Sequence, residues 1–451
     1  MIYLLFLIII FIFELKRKKP NDKFDLLTGI NGFYAIYFGL SPFLISYLDL
    51  RDYIPYWALP RQVQAYYGFK DTLSYLNPFI FILISYIFII FGYYLLNKYK
   101  VKNKYVYKEV YIHDSKILNL GMVSFIVSFF SLAYYTYSLN GIREAILLAE
   151  YTRSINSNFQ DSFMFLRLFQ PFIICSFYCF LLLKYRMTSK VNSEGKMRNL
   201  FTMFMFVLTL ILSFYYLLIT ASRSQILIFI IVILLFRNKK IKIRQSITVG
   251  LLIIIGFIYG DSILTYLQTG QYTADRSIEN SMQVNLSKFV VQTIYPFINI
   301  TMVPSFISNI SDFRFFGDFI FIWIINMLPG GLLGLFGIGE IKPLWAVNTN
   351  NFNSITGGIP VDLISSGYYQ LGIIGIILLS FTFGLIIKRL DDFFKRYNND
   401  AIKLLKIRFL FFIPTFVINA DPEAIVRSGL NIIIMFAVFY YAIRKPKNNG
   451  K

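Results

Sequence analysis

The chain has 451 residues, 57% hydrophobic and 19% aromatic, with only 15% charged and a mean hydropathy of +0.60. That balance excludes a soluble globular domain, and apolar residues arriving in long runs exclude a membrane β-barrel, whose strands would alternate. The formal charge of +20 invites a nucleic-acid role. However, 32 of the 44 Lys and Arg fall in six short loops, 14–26, 97–116, 184–199, 237–246, 388–408 and 444–451, which alternate with loops that carry few. Basic loops of that kind stay on the cytoplasmic side, so the charge reports topology and no nucleic-acid partner is expected.

In chain order, the first apolar run is 1–13, short for a span of about 20 residues, and Lys16-Arg17-Lys18-Lys19 follows it. It lacks the basic start and small-residue cleavage site of a signal peptide and is read as a retained segment. Further spans are predicted over about 26–48, 78–96, 117–139, 166–183, 200–219, 224–236, 247–264, 368–387, 407–420 and 429–443. The charge rule puts 49–77, 140–165, 220–223 and 421–428 on the outer side, together with one long segment, 265–367. That segment reverses the inner-loop charge, with four basic residues against six acidic ones. It holds two more apolar stretches, 289–310 and 315–338. Pro329-Gly-Gly-Leu-Leu-Gly334 favours a broken or re-entrant helix for the second. The expectation is an all-α polytopic membrane protein of 11 spans, or 13 with the extra pair, forming a single membrane-embedded domain over 1–451.

Cys175 and Cys179 stand four apart inside one apolar run and read as packing residues. The sole histidine, His113, lies in a basic loop, so no His/Cys cluster for zinc or iron exists in the sequence. No P-loop or other nucleotide fingerprint occurs, and the inner loops are too short for a nucleotide-binding domain. Chemistry is therefore expected at the outer face.

Arg223 is the first candidate. It sits in Thr220-Ala-Ser-Arg-Ser-Gln225, between the runs 200–219 and 224–236. A permanent cation beside hydrocarbon is costly and normally has a partner or a task. The plain alternative is a snorkelling boundary arginine. The hydroxyls of Thr220, Ser222 and Ser224, with the amides of a helix start, would complete a phosphate cradle. In 270–280, Asp275 and Glu279 stand four apart beside Arg276. A helix would show both carboxylates on one face, to hold sugar hydroxyls or supply a base, and a solvated turn is the alternative. Arg143, Glu144, Glu150 and Arg153 read first as a charged surface helix. The stretch 348–375 begins Asn348-Thr349 and continues through Asp362, Gly367, Tyr368-Tyr369, Gly372 and Gly375. Amides, hydroxyls and tyrosines of that kind suit carbohydrate. Asp362, just ahead of a span, is placed for partial desolvation and a raised pKa. Asp421-Pro422-Glu423 reads as a helix start.

Two of these motifs, Thr220-Ala-Ser-Arg-Ser224 and Asn348-Thr349 with Asp362, Gly367, Gly372 and Gly375, resemble those of the Wzy-type oligosaccharide repeat-unit polymerases of O-antigen, capsule and exopolysaccharide synthesis. Tyr368-Tyr369-Gln370-Leu371-Gly372 looks like that family's aromatic-Tyr-x-x-x-Gly stretch, with the insertion 355–360 before it. The resemblance implies transfer of a growing glycan from undecaprenyl pyrophosphate to a newly flipped repeat unit on the outer face of the cytoplasmic membrane, without metal or cofactor. It implies a lipid-linked oligosaccharide substrate, membrane lipid around it, and a flippase and a chain-length regulator as candidate protein partners. Arg223 would stabilise the departing pyrophosphate with Arg276 and Arg153. Asp362, Asp275 and Glu279 are the candidate bases, and Ser222, Ser224, Asn348, Tyr368 and Tyr369 candidate binding residues. The rival readings are an O-antigen ligase, disfavoured because His113 is predicted inside, and a flippase or other transporter, which would need charge in mid-span.

Overall fold

The computed structural model describes residues 2–17, 25–69, 76–95, 108–109, 112–149, 164–189, 196–237, 256, 260, 263–269, 282–307, 309–327, 341–353 and 358–444. Among the described residues, six helices are long and apolar enough to cross a membrane: Leu76–Leu95, Asp114–Ser138, Leu166–Met187, Asn199–Ile219, Leu363–Arg396 and Pro422–Ile443. A bent pair, Gln283–Thr293 with Tyr295–Phe306, turns by 48° and makes a seventh if it counts as one span. The chain is therefore an all-α, multi-pass membrane protein. Isoleucine, leucine and phenylalanine left exposed along these helices, such as Phe130, Leu200 and Phe204, would be unfavourable in water and suit a lipid surface.

Among the described residues this count is smaller than the 11 to 13 expected, because several expected runs form short or interrupted helices and others lie outside those residues. The first run forms only Ile2–Lys16. The run 26–48 forms Leu26–Phe33, a π turn Tyr34–Leu40 and the short Ser41–Ile45. Arg223–Phe236 and Asp318–Met327 are apolar but short. Asp400–Ile418 has charge along its first half. The expected span 247–264 and the glycine turn 329–334 lie essentially outside the described residues. The bent pair makes the first of the two extra apolar stretches a broken helix.

The chain divides into two compact units. The first comprises Met1–Lys104, Ala274–Phe393 and Phe409–Ile425, and the second Tyr105–Thr273, Phe394–Arg408 and Val426–Lys451. The first unit has an aromatic core in which Tyr34, Phe38, Tyr66, Phe6 and Phe297 are fully buried. The Tyr34 hydroxyl lies 2.7 Å from Ser85 Oγ, itself 2.7 Å from Ser380 Oγ. Arg17 closes one end of the unit by pairing with Asp25 at 2.6 Å and Glu14 at 3.0 Å. Within the second unit, Leu166–Met187 is the most buried span. Its Cys175 and Cys179 are buried and free, which makes them packing residues. Arg186 pairs with Asp114 at 2.8 Å.

The helix Leu363–Arg396 is broken at Leu371 (φ −160°, ψ 38°) and Gly372 (φ 60°, ψ −141°). Gly372 supplies a left-handed conformation that a side chain would resist. Beyond it the chain turns back on itself. A straight helix rising 1.5 Å per residue would hold Gly367 and Gly375 about 12 Å apart, yet a Cβ on Gly375 would clash with the Gly367 carbonyl oxygen. The freed carbonyls of Tyr369 and Gln370 accept the amides of Arg314 and Phe315, each at 3.0 Å. Gly375→Ala is accordingly expected to destabilise the protein by on the order of 1–3 kcal/mol or more, because backbone must move. Gly32→Ala, where a Cβ meets nothing within 4 Å, should instead stabilise it by about 1 kcal/mol. Thermal midpoints of the two variants in detergent check this, and equal midpoints would refute the close turn.

Candidate active site

The first unit assembles its site around the head of the broken helix. Asp362 immediately precedes Leu363 and is fully buried. Its Oδ1 accepts the amides of Ile364 (3.0 Å) and Ser365 (2.9 Å), which caps the helix and holds the carboxyl still. Its Oδ2 has no hydrogen-bond partner among the described residues. The same holds for Ser365 Oγ, Ser366 Oγ and Gln370 Oε1. Spacings of three, four and eight residues put these atoms along one side of the short helical segment. Burial pushes the Asp362 carboxyl up to about 6, with the neighbouring Ser365 hydroxyl and then the backbone amides of Ser365 and Ile364 restraining the rise. A buried carboxylate oxygen beside two hydroxyls and an amide carbonyl can take a proton from a hydroxylated ligand and hold its neighbouring hydroxyls.

Asn348 and Thr349 build the wall behind Asp362. Both are buried at the end of the helix Leu344–Asn351. The Tyr369 hydroxyl donates to Asn348 Oδ1 (3.0 Å) and accepts from Asn351 Nδ2 (3.1 Å). Thr349 Oγ1 accepts the amide of Ile359 (2.8 Å) and donates to the Trp345 carbonyl (2.7 Å). Asn299 Nδ2 donates to the Pro360 carbonyl at 2.8 Å. Two helices are thereby tied to the stretch of backbone that ends at Asp362, and Tyr369 braces one of them. Sequence reasoning offered Asn348 and Tyr369 as sugar-facing groups, and the structure places them as buried supports. Tyr368 is half-buried with its ring 5.6 Å from that of Phe81.

Residues that sequence reasoning left without a role complete this region. Arg314 Nη2 donates to Asp318 Oδ1 (2.6 Å) and to the Lys342 carbonyl (2.9 Å), and Gln370 Nε2 donates to Asp318 Oδ2 (2.8 Å). Asp421 accepts the amides of Glu423 (2.8 Å) and Trp345 (2.8 Å). It caps the helix that starts at Pro422, as its sequence suggested. Burial raises the Asp421 carboxyl as well.

The second unit holds the other motif. Ala221 adopts φ 46° in a tight turn that packs on Leu264 and Ala149, and Arg223 then opens the helix Arg223–Arg237. Arg223 is half-buried and Ser224 exposed, and Ser222 Oγ lies 3.4 Å from Ser224 Oγ. A Cβ on Gly260 would stand 3.0 Å from Arg223 Cδ, so the side-chain stem runs over bare backbone. Arg143 and Glu144 are exposed on the short helix Ile142–Leu147, as a charged surface helix would have them. Asp275, Arg276, Glu279, Glu150 and Arg153 lie outside the described residues.

Arg408 was missed. It was counted with the basic loop 388–408 although the expected span 407–420 also contains it; it lies within the helix Asp400–Ile418 and is buried. The signal available was that ten uncharged residues, 409–418, follow it directly.

No protein-family model, curated protein or solved structure matches this chain.

Proposed function

We propose that the protein is a membrane glycosyltransferase that joins oligosaccharide repeat units carried on undecaprenyl pyrophosphate, at the outer face of the cytoplasmic membrane. The observation that carries this reading is Asp362, a rigidly capped, buried carboxyl with one free oxygen and a pKa of about 6. In the reaction, the acceptor hydroxyl gives its proton to Asp362 Oδ2 as its oxygen forms a bond to C1 of the donor sugar. The bond from C1 to the pyrophosphate oxygen breaks and its electron pair leaves with the undecaprenyl pyrophosphate; the resemblance separately makes Arg223 of the second unit the candidate for holding that group. The experiment is the size profile of lipid-linked and surface glycan in a deletion strain complemented with wild type or Arg223→Ala. Single repeat units that become long chains only with wild type support the proposal. Long chains left unattached would identify a ligase.

A transporter of lipid-linked glycan is the second reading. The broken helix at Leu371–Gly372 and the 48° bent pair favour it, because transporters build their sites from discontinuous helices. Repeat units trapped on the inner leaflet of the deletion strain would establish it in place of glycosyl transfer.

The pH profile separates the two states of Asp362. Its folded pKa of about 6 lies above the ordinary value near 3.9, so the folded protein favours the neutral acid. Stability linked to this group is present at low pH and lost as pH rises from about 4 through about 6. The base is active only as the carboxylate, so polymerisation should rise between about pH 5 and 7, around the folded value of about 6. Rate and thermal midpoint, each taken as the difference between wild type and Asp362→Asn, should move in opposite directions. A rate that is flat between pH 5 and 7 would remove Asp362 as the base.

A further inference from the structure

Among the described residues of the first unit, six buried side-chain atoms have no hydrogen-bond partner: Ser287 Oγ, Asp362 Oδ2, Ser365 Oγ, Ser366 Oγ, Gln370 Oε1 and Asn419 Oδ1. All six are oxygens. Four of them belong to the head of the broken helix, where Asp362, Ser365, Ser366 and Gln370 are each no more than 1% exposed. Backbone bonds hold these four in one body: Asp362 Oδ1 accepts the amides of Ile364 and Ser365, and the amide of Ser366 donates to the Asp362 carbonyl at 2.8 Å. The Gln370 amide has one orientation, because its Nε2 faces Asp318 Oδ2 at 2.8 Å and a carboxylate only accepts. Its Oε1 is therefore the free end. A serine hydroxyl can donate or accept, whereas Gln370 Oε1 and the ionised Asp362 Oδ2 only accept. Arg314, whose backbone amide donates to the Tyr369 carbonyl, commits its guanidinium to Asp318 (2.6 Å) and the Lys342 carbonyl (2.9 Å).

We propose that this run of oxygens selects an uncharged sugar at the acceptor end, held through its own hydroxyl or amide N–H donors, and turns away acidic sugars such as uronates. A buried acceptor without a donor is unfavourable, and a ligand whose hydroxyls point at Asp362 Oδ2 and Gln370 Oε1 removes that cost. A uronate would set its carboxylate against oxygens that cannot donate, and beside the Asp362 charge in a poorly screened site. A bare cation is disfavoured too, since Asp362 caps the positive end of the helix dipole. The inference rests on the reading of Asp362 as the group that meets the acceptor sugar. It adds which sugar that group meets, and makes Ser366 and Gln370 the residues that set the preference.

The test uses the purified full chain in detergent at neutral pH. Methyl glucoside, methyl N-acetylglucosaminide and methyl glucuronoside are titrated by saturation-transfer NMR into wild type, Ser366→Ala, Gln370→Met and Asp362→Asn. Wild type should bind a neutral glycoside, and the glucuronoside about tenfold or more weakly, the effect of a like charge at close range. Ser366→Ala and Gln370→Met should each weaken the neutral glycoside several-fold, with thermal midpoints as the control for folding. Asp362→Asn removes the charge and adds a donor, so it should narrow the gap between neutral and acidic glycosides. Glucuronoside binding to wild type as tight as the neutral glycosides would overturn the proposal. So would a wild type that binds neither neutral glycoside, or folded Ser366→Ala and Gln370→Met proteins that both bind as wild type does. The wild-type preference alone decides the matter where a variant does not fold. A neutral preference in a protein whose deletion leaves glycan chain length unchanged would keep this inference and defeat glycosyl transfer. Loss of long chains on deletion, without the preference, would do the reverse.

Discussion

Asp362→Asn is expected to reduce chain extension by about 10²–10⁴-fold, the usual contribution of a positioned general base, while leaving the protein folded. Asparagine keeps an oxygen for the amides of Ile364 and Ser365 and ranks beside aspartate as a helix cap. It also removes a carboxyl whose ionisation is opposed by burial, so its midpoint at neutral pH should be no lower than that of wild type. Asp362→Ala, in contrast, loses the cap as well, at a cost of about 1 kcal/mol. The measurement is turnover of lipid-linked repeat units by purified protein, with the thermal midpoint as a control for folding. Wild-type turnover by a folded Asp362→Asn protein would refute the assigned role.

Arg223→Lys is expected to lose on the order of 10²–10³-fold in turnover at saturating donor, comparable to removing one positioned donor from a developing oxyanion. Lysine keeps the charge but presents a point in place of a planar fork, so two parallel hydrogen bonds to pyrophosphate oxygens become one. The structure leaves the change sterically easy, since the stem of Arg223 lies over Gly260 and Ser224 beside it is exposed. An unchanged thermal midpoint of the variant would attribute a loss to chemistry. Long polymer at near-wild-type rate from Arg223→Lys would take the guanidinium out of the mechanism.

The two residues differ in how far the sequence alone could place them. Arg223 was legible because a lone cation between two apolar runs stands out against its neighbours, and the turn found at Ala221–Ser222 follows from small residues there. Asp362 was legible as a group next to a span, but its environment was not. Its fixed position depends on Asn299, Asn348 and Thr349, which hold the 358–362 backbone from as far as 63 residues away in the chain, and on Tyr369, which holds Asn348. The motif Asn348-Thr349 looked like a binding surface because exposed and buried amides have the same letters. Only packing tells them apart.

Local composition determined the class of this protein: long apolar runs must be helices in a membrane, since backbone polar groups in hydrocarbon can be satisfied only within the segment. It also determined where several helices begin, as at Asp421-Pro422, and that Cys175 and Cys179 pack inside a span. Tertiary structure decided the rest. The break at Leu371–Gly372 exists because Arg314 and Phe315 donate to carbonyls that the helix gives up, and a hydropathy window cannot register a partner 55 residues away. Arg186 and Arg408 are both arginines at the edges of apolar runs. Whether such a charge is paired depends on which carboxylates the fold brings to it: Asp114 reaches Arg186 from 72 residues away, and among the described residues Arg408 has no such partner.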